Sequence, residues 1–341
     1  MKAEKSRSVI VKKFGGYDCL LIENFDLPEL DGLIEVKVDC GGLNFADLYT
    51  RQGLMLDKKL PFVLGMECTG TVTAVGTETD LVIGQKVICY DYEGGMYRDV
   101  IRVSPEKCYP LPEYIDSKIG AAIFVNYLTA YFALIGLGNL KENEKVLIMS
   151  CAGGVGCAAT QLARTIKDVK IFGIGSQGKE QQAKENGVDI FYSNESFKAE
   201  IIKEKFDLII ANEIGPTFTY LQNILNPLGR IVLTGANNII TNERKLSMFS
   251  LLKAWWSTKY VNPETLITNN RLVGGLHLGT LAKSDPKTTK NALNYIFDLL
   301  RTGVINPKIH SVMPMSEIIA ATKLLGDRKN VGKVLIQMEE T

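Results

Sequence analysis

A glycine-rich turn between an apolar run and a helix-like stretch constrains this chain most. Residues 145–149 are apolar, the turn reads Ser150-Cys151-Ala152-Gly153-Gly154-Val155-Gly156, and residues 157–164 favour a helix. Strand, glycine turn and helix in this order are typical of a dinucleotide-binding βαβ unit. Glycines let the backbone approach a pyrophosphate, and the helix N-terminus offers it N–H groups and partial positive charge. We therefore expect this contact from Ala152, Gly153, Gly154, Val155 and Gly156, although Cys151 replaces the first glycine of G-x-G-x-x-G.

Length and charge narrow the class of protein. The chain has 341 residues, enough for two domains, and its 39 basic and 38 acidic residues give a net charge of +1. This balance gives no electrostatic basis for binding nucleic acid. No apolar run reaches the roughly 18 residues of a membrane-spanning helix, and the N-terminus lacks the apolar core of a signal peptide. We expect a cytoplasmic protein.

The cysteines and histidines predict a reduced protein without a bound metal. The seven cysteines include no C-x-x-C pair, which indicates small buried apolar side chains. The chain has only two histidines, His277 and His310, and they lie far apart in sequence. A zinc site therefore has few ligands to use.

The hydrophobic pattern changes twice along the chain. Residues 8–110 contain short strand patterns separated by turns, at about 8–12, 33–38, 70–76 and 85–90, which indicate a barrel or sandwich. A helix is expected over 121–137. Strands and helices then alternate, as in a doubly wound parallel sheet. The expected strands are 145–149, 169–175, 189–192, 206–211, 230–234 and 271–276, and the helices 156–167, 178–186, 197–204 and 216–226. Helices at 288–302 and 316–326 precede a last strand at 334–337.

Three segments carry a resemblance to a known family. They are Cys40-Gly41-Gly42-Leu43-Asn44-Phe45-Ala46-Asp47-Leu48-Tyr49-Thr50-Arg51-Gln52-Gly53, Gly65-Met66-Glu67-Cys68-Thr69-Gly70 and Val125-Asn126-Tyr127-Leu128-Thr129-Ala130-Tyr131. They resemble the zinc-free quinone oxidoreductases of the medium-chain dehydrogenase/reductase superfamily. The segments 255–256, 274–279 and 329–335 are most similar to the VAT-1 family. The resemblance implies an α/β fold with a GroES-like β-barrel domain (1–122, completed by 303–341), a Rossmann domain (123–302) and a homodimer. The strand expected at 271–276 would pair with its copy.

The metal-binding motifs of the superfamily are altered here. Its zinc enzymes have a cysteine in the first segment and Gly-His-Glu in the second. This chain has Leu43, Asn44 and Phe45 in the first and Met66 before Glu67 in the second. Since neither Met nor Phe is a normal zinc ligand, we expect a zinc-independent site. Glu67 then has two interpretations, a structural or a catalytic carboxylate, and we favour the first.

The residues after the second strand predict NADPH as the cofactor. An NAD site normally has an acidic residue there to bind the ribose, but residues 172–179 contain none. Ser176 and Lys179 can instead donate hydrogen bonds to a 2′-phosphate. The resemblance places Ser176, Lys179 and Tyr192 at the adenine end. The alternative is that Lys179 is only a solvated lysine at a helix start.

The loop around Asn44 predicts the reacting end of the site. Asn44 and Tyr49 both carry hydrogen-bond donors suited to an oxyanion that develops on a quinone or an α,β-unsaturated carbonyl substrate. We favour Tyr49 as proton donor, with solvent as the competitor, and Asn44 as a contact of substrate and cofactor. The alternative for Asn44 and Asp47 is turn formation and helix capping, which we favour for Asp47. Gly235 follows the fifth strand, where ligands bind in such sheets. His277 is either an acid or a packed side chain, and we favour packing. By resemblance, further cofactor contacts come from Thr129, Leu276, Leu278 and Asn330, with Lys333 a weaker candidate.

A tryptophan-containing segment leaves a second function open. Met248, Leu251, Leu252 and Trp255 recur at helical spacing, with Trp256 beside them. They fit a helix that covers the cleft, or an interfacial patch that touches lipid. The VAT-1 resemblance implies peripheral association with vesicles or the mitochondrial outer membrane. The rival function is therefore a nucleotide-binding scaffold or lipid-handling protein with little turnover.

Overall fold

Alternating apolar residues make the first third of the chain into short strands. In the computed structural model, which describes residues 4–55, 58–201, 204–237 and 261–338, β1 buries nearly every side chain after its first residue. A short helix, α1, interrupts the strands at Phe45–Gln52, and Asp47 accepts a hydrogen bond from the Asn44 N–H at its start. The strands are β1 Lys5–Val11, β2 Leu20–Asp26, β3 Ile34–Gly42, β4 Phe62–Val63, β5 Glu67–Val75, β6 Lys86–Tyr90, β7 Val100–Val103 and β8 Cys108–Pro110.

A long apolar helix, α2 (Ser117–Tyr131), follows the barrel strands and continues as a π-helical turn to Leu137. Contrary to the expectation that no apolar run is so long, this helix is, within the described ranges, the one long and apolar enough to cross a membrane. Its apolar window is 72% buried inside the protein. It packs against β5 on one side and against the next helix, α3, on the other. The helix therefore joins two domains through one core, and it runs across the boundary predicted between residues 122 and 123.

The second part of the chain alternates strands and helices as expected. Its strands are β9 Lys145–Met149, β10 Lys170–Gly175, β11 Ile190–Ser193, β12 Phe206–Ala211, β13 Leu225–Leu233 and β14 Leu272–Gly275. Its helices are α3 Gly154–Arg164, α4 Glu180–Glu185, α5 Phe197–Glu200, α6 Pro216–Asn223, α7 Pro263–Asn269, α8 Leu278–Ser284 and α9 Pro286–Arg301. The strands form a parallel sheet in the order β11-β10-β9-β12-β13-β14. This is the strand order of a Rossmann domain.

The predicted elements agree with these bounds to within a few residues. The main differences are that α5 and α6 end earlier than expected, at Glu200 and Asn223, and that β13 begins at Leu225. β13 starts early because Leu225 already pairs with Phe206 on β12. The predicted tryptophan helix lies in residues 238–260, outside the described residues.

The chain returns to the barrel at its C-terminal end. After α9 come β15 Ile309–Pro314, α10 Ile318–Gly326 and β16 Lys333–Gln337. β16 pairs with β3, so the seven-stranded barrel sheet contains strands from both ends of the chain, in the order β15-β16-β3-β5-β6-β8 with β7 also on β3. A second sheet has the order β2-β1-β4. The loop between α10 and β16 is thereby carried to the carboxyl end of the parallel sheet.

Candidate active site

A cleft opens where the carboxyl ends of the parallel strands meet the barrel. Its walls come from the ends of β9, β10, β12 and β13, from the start of α1, from α2 and from the loop before β16. Every predicted site residue lines the cleft except Tyr192, Leu276 and Leu278. Those brought together are Asn44, Tyr49, Thr129, Ala152, Gly153, Gly154, Val155, Gly156, Ser176, Lys179, Gly235 and Asn330.

The glycine turn lies on the floor of the cleft and leads into α3. Ser150 adopts a left-handed conformation with φ of 51°, and Gly153 is the N-cap of the helix. A Cβ on Gly156 would lie 2.2 Å from the Ser150 carbonyl oxygen, so only glycine fits there. The first turn of α3 therefore presents its N–H groups and positive dipole end to the cleft, as an anion site requires.

Lys179 lines the cleft and holds the loop that precedes β16. Its ammonium donates hydrogen bonds to the carbonyl oxygens of Arg328, at 2.6 Å, and Asn330, at 2.5 Å. Burial lowers the pKa of Lys179, and the Arg328 guanidinium lowers it further. An ammonium has three donors, so one remains for a ligand. Lys179 is therefore a partly buried lysine fixed beside the cleft, in contrast to the alternative of a solvated lysine.

Tyr49 lines the same cleft from α1 and bridges the two domains. Its hydroxyl donates to Asn237 Oδ1 and accepts from the Ala236 N–H, both at 3.3 Å. Burial raises the pKa of Tyr49 to about 12. The phenol is therefore protonated at neutral pH. Both hydrogen bonds are long, so they are weak enough for a substrate oxygen to replace one of them.

Asn44 also lines the cleft, but both of its amide hydrogens already have hydrogen-bond partners. Its Nδ2 donates to the Gly42 carbonyl oxygen and to Glu67 Oε1, both at 2.9 Å, and its Oδ1 accepts from Lys333 at 2.7 Å. An amide nitrogen has two N–H donors, so neither is left for a substrate. The expected role of Asn44 as a direct donor to the substrate is not what this geometry favours. The amide instead holds the start of α1 in place.

Glu67 and Lys333 form a buried ion pair behind Asn44. Their side chains are 0% and 3% exposed, and the Lys333 ammonium donates to Glu67 Oε1. Glu67 Oε2 accepts the Val125 N–H at 2.9 Å. This is the structural role that we favoured for Glu67. Lys333 is the weaker candidate for a cofactor contact, and its ammonium is already bound to Glu67 and Asn44.

Three predicted contacts and His277 lie away from the cleft wall. Tyr192 stacks on Phe172 with ring centroids 6.4 Å apart, while Leu276 and Leu278 pack against the core around α2. His277 caps α8, because its Nδ1 accepts the Thr280 N–H at 3.0 Å, and burial lowers its pKa. His277 is exposed and its ring meets Tyr92 edge-on with centroids 4.5 Å apart, so it is a surface helix cap, and neither the packed nor the acid interpretation describes it. Contacts from the other three would require a ligand that extends beyond the cleft wall.

Sequence reasoning did not select several polar residues in the wall, among them Asn126, Asn194, Asn212 and Arg328. Asn194 and Asn212 each follow a parallel strand directly, which is the signal that could have identified them. The Oδ1 atom of Asn212 is buried and has no hydrogen-bond partner among the described residues. A buried acceptor of this kind in a cleft wall suits a ligand N–H or O–H.

Two family descriptions match the chain. The alcohol dehydrogenase GroES-like domain covers residues 31–113, and the zinc-binding dehydrogenase family covers residues 187–336. The second name raises the question of zinc. The residues do not fit that ion: Glu67 is bound to Lys333, its neighbour is Met66, and no cluster of three metal-ligating side chains occurs among the described residues.

Similar proteins share this fold. The synaptic vesicle membrane protein VAT-1 homolog of Danio rerio is 35% identical over 342 residues, which cover 98% of this chain and 70% of that protein. The crystal structure of the human VAT-1 homolog-like protein has a TM-score of 0.84 at 28% identity, with 99% of both chains covered.

More distant structures share the fold alone. The Pseudomonas syringae quinone oxidoreductase has a TM-score of 0.84 at 24% identity, with 97% of this chain and 99% of that chain covered. Mycobacterial Rv1454c complexed with NADPH has a TM-score of 0.82 at 22% identity, with the same coverage. From its matched domains and its identity to these relatives, the chain belongs to the VAT-1 homologues of the medium-chain dehydrogenase/reductase superfamily, a group of oxidoreductases.

Proposed function

We propose that this protein is a zinc-independent, NADPH-dependent reductase of quinones or α,β-unsaturated carbonyls. The observation that carries the proposal is the arrangement of one cleft. The N-terminus of α3, the Lys179 ammonium and the protonated Tyr49 hydroxyl all line it. An anion site, a cation and a proton donor along one groove match an elongated dinucleotide beside a carbonyl substrate.

The residues fit NADPH better than NADH. Among the described residues no carboxylate lines the cleft beside Ser176 and Lys179, so a 2′-phosphate meets a hydroxyl and an ammonium there. Arg328 adds a second cation to the same wall. Mycobacterial Rv1454c, which shares the fold, is complexed with NADPH, and this agrees with the choice.

The chain's own residues then divide the chemistry between them. Bound NADPH supplies the hydride. The α3 N-terminus and the turn at 152–156 hold the pyrophosphate, and Asn212 offers its unpartnered oxygen to the same ligand. Tyr49 donates a hydrogen bond to the substrate oxygen and delivers a proton as negative charge develops there. Asn44 keeps α1 in place, so that this hydroxyl faces the cleft.

The remaining expectations belong to this proposal. We expect a cytoplasmic homodimer that uses β14, an edge strand of the parallel sheet, at its interface. The membrane named for the relatives keeps the scaffold or lipid-handling alternative open. In that case the protein would bind NADPH and lipid but show little reduction.

The test follows NADPH absorbance with purified protein and a series of small quinones and enones. Protein-dependent oxidation of NADPH supports the reductase. Binding of NADPH without oxidation by any acceptor, together with co-sedimentation with anionic vesicles, would favour the alternative. Trp255→Ala/Trp256→Ala then shows whether that segment is the lipid contact.

A further inference from the structure

A buried cation, Lys333, lines the cleft beside Asn44 and has no part in the reaction proposed above. Lys333, the first residue of β16, has a side chain that is 3% exposed and still contributes to the cleft wall. Its ammonium binds the Glu67 carboxylate and, at 2.7 Å, the Asn44 Oδ1. These partners belong to three elements, β16, β5 and the start of α1. One side chain therefore connects three parts of the barrel at the cleft.

The cluster leaves Asn44 no freedom. Lys333 binds its amide oxygen, Glu67 and Gly42 bind its amide nitrogen, and Asp47 accepts its backbone N–H at 2.8 Å. Asn44 is the N-cap of α1, and Tyr49 lies one turn further along this helix. The position of the Tyr49 hydroxyl therefore depends on the position in which Lys333 holds Asn44.

The backbone beside Lys333 holds the cofactor end of the cleft. We call residues 328–333 the strap. The Gly332 N–H donates to the Ala152 carbonyl oxygen at 2.9 Å, and the strap carbonyls of Arg328 and Asn330 accept from Lys179. The strap thus touches the pyrophosphate turn and the predicted 2′-phosphate lysine. The side chain of Lys333, the last residue of the strap, binds Asn44.

Two charged side chains lose favourable hydration when they are buried in a core. Apolar residues of similar volume often stabilise a fold at least as well, because they carry no desolvation penalty. The Lys333 and Glu67 pair joins the strap to Asn44, and it contributes a directed hydrogen bond that an apolar pair lacks. Positioning explains its presence better than packing does.

We propose that Lys333 is a positioning residue for reduction, acting through Asn44. It sets the start of α1, and with it Tyr49, against the strap that holds the cofactor turn. The inference rests on the proposed function. Misplacement of about 1 Å at a reacting centre can lower the rate about 100-fold, so loss of this link is expected to lower kcat and leave KM for NADPH nearly unchanged.

The test separates this role from simple stability. Lys333→Met leaves the Glu67 carboxylate buried and unpaired, which by itself destabilises the fold. Lys333→Met/Glu67→Gln removes both charges and keeps similar volumes, so the fold is retained while the strap still lacks its bond to Asn44. Lys145→Met/Glu204→Gln is the matched control, since this pair (2.9 Å) lies at the opposite end of the parallel sheet.

Four measurements are made on each variant: thermal unfolding, kcat, the Kd of 2′,5′-ADP and the emission of bound NADPH. The Kd reports the adenine end alone, and the emission reports immobilisation of the nicotinamide ring. We expect the Lys333→Met/Glu67→Gln protein to unfold near the wild-type temperature and bind 2′,5′-ADP normally. It should lose nicotinamide emission and about 10- to 100-fold in kcat. A Lys333→Met/Glu67→Gln protein that is stable and keeps wild-type emission and wild-type kcat would overturn the proposal. The ion pair would then be purely structural. Absence of NADPH binding already in the wild type would instead overturn the proposed function.

Discussion

The sulfur of Cys151 lies so close to Gly173 that a Cβ on residue 173 would be 2.6 Å away from it. Cys151 occupies the place where G-x-G-x-x-G has its first glycine, and Gly173 lies on the neighbouring strand β10. A glycine on the strand therefore leaves room for a side chain in the turn. Burial raises the pKa of Cys151 to about 12, so it packs here as a neutral thiol. Gly173 on β10 therefore makes room for the cysteine that replaces the first glycine of the motif.

Gly173→Ala is expected to destabilise the protein because the new methyl overlaps this sulfur. Overpacking of a core typically costs about 1–3 kcal/mol. Cys151→Gly/Gly173→Ala should recover part of that loss, since it removes the overlapping atom. Chemical denaturation of the wild type, both single variants (Gly173→Ala and Cys151→Gly) and the double variant measures the coupling between the two positions. An equal loss from Gly173→Ala in both backgrounds would contradict the packing explanation.

Lys179→Met is expected to reduce the preference for NADPH over NADH. The variant loses a charge-assisted contact to the 2′-phosphate, which is worth about 1.5–3 kcal/mol, or about 10- to 100-fold in KM for NADPH. The KM for NADH should change much less. Steady-state kinetics with both cofactors measures the effect, with Lys184→Met as control, because Lys184 pairs with Glu180 on the exposed face of α4. Equal changes for both cofactors would mean that Lys179 acts only by holding the strap.

Tyr49→Phe is expected to lower kcat by about 100-fold with little change in the KM for NADPH, because it removes a proton donor and keeps the ring. The donating form is the neutral phenol, and the pKa of about 12 keeps it neutral at lower pH. The wild-type rate should therefore show no inflection from Tyr49 between about pH 6 and 9. Tyr220→Phe, which removes an exposed hydroxyl bound to Lys198, is the control. A rate equal to wild type would assign protonation to solvent.

The stability of the Asp47→Asn protein relative to the wild type is expected to rise with pH. Burial raises the pKa of Asp47 from 3.8 to about 6, against hydrogen bonds from Tyr97 and the Asn44 N–H. A raised folded-state pKa means that the native chain binds the proton more tightly. The wild type keeps this contribution at low pH and loses it as pH rises through about 6. The difference in free energy of unfolding should change by on the order of 2–3 kcal/mol between about pH 4 and 7. Stability curves that stay parallel over this range would exclude a titrating Asp47.

The parallel-sheet half was predictable because its signals are local. Each buried strand, such as Lys145–Met149, is an apolar run, and the turn at Gly153 to Gly156 marks where the chain enters a helix. Residues that follow strand ends, such as Ser176 and Gly235, come together in any sheet of this order. Most of the candidate cleft therefore followed from position along single elements.

The tertiary structure decided what each polar group has left to offer. Asn44, Glu67 and Lys333 are far apart in the sequence, and only the return of β16 to β3 brings them into one cluster. A hydrogen bond uses up a donor, so Asn44 changes from an expected substrate contact to a fixed support. Tyr192 lines no part of the cleft because its ring packs on Phe172. The sequence alone determined which chemical groups the protein has at strand ends and turns. The tertiary structure determined which of them remain free, because hydrogen-bond partners are set by contacts between distant segments.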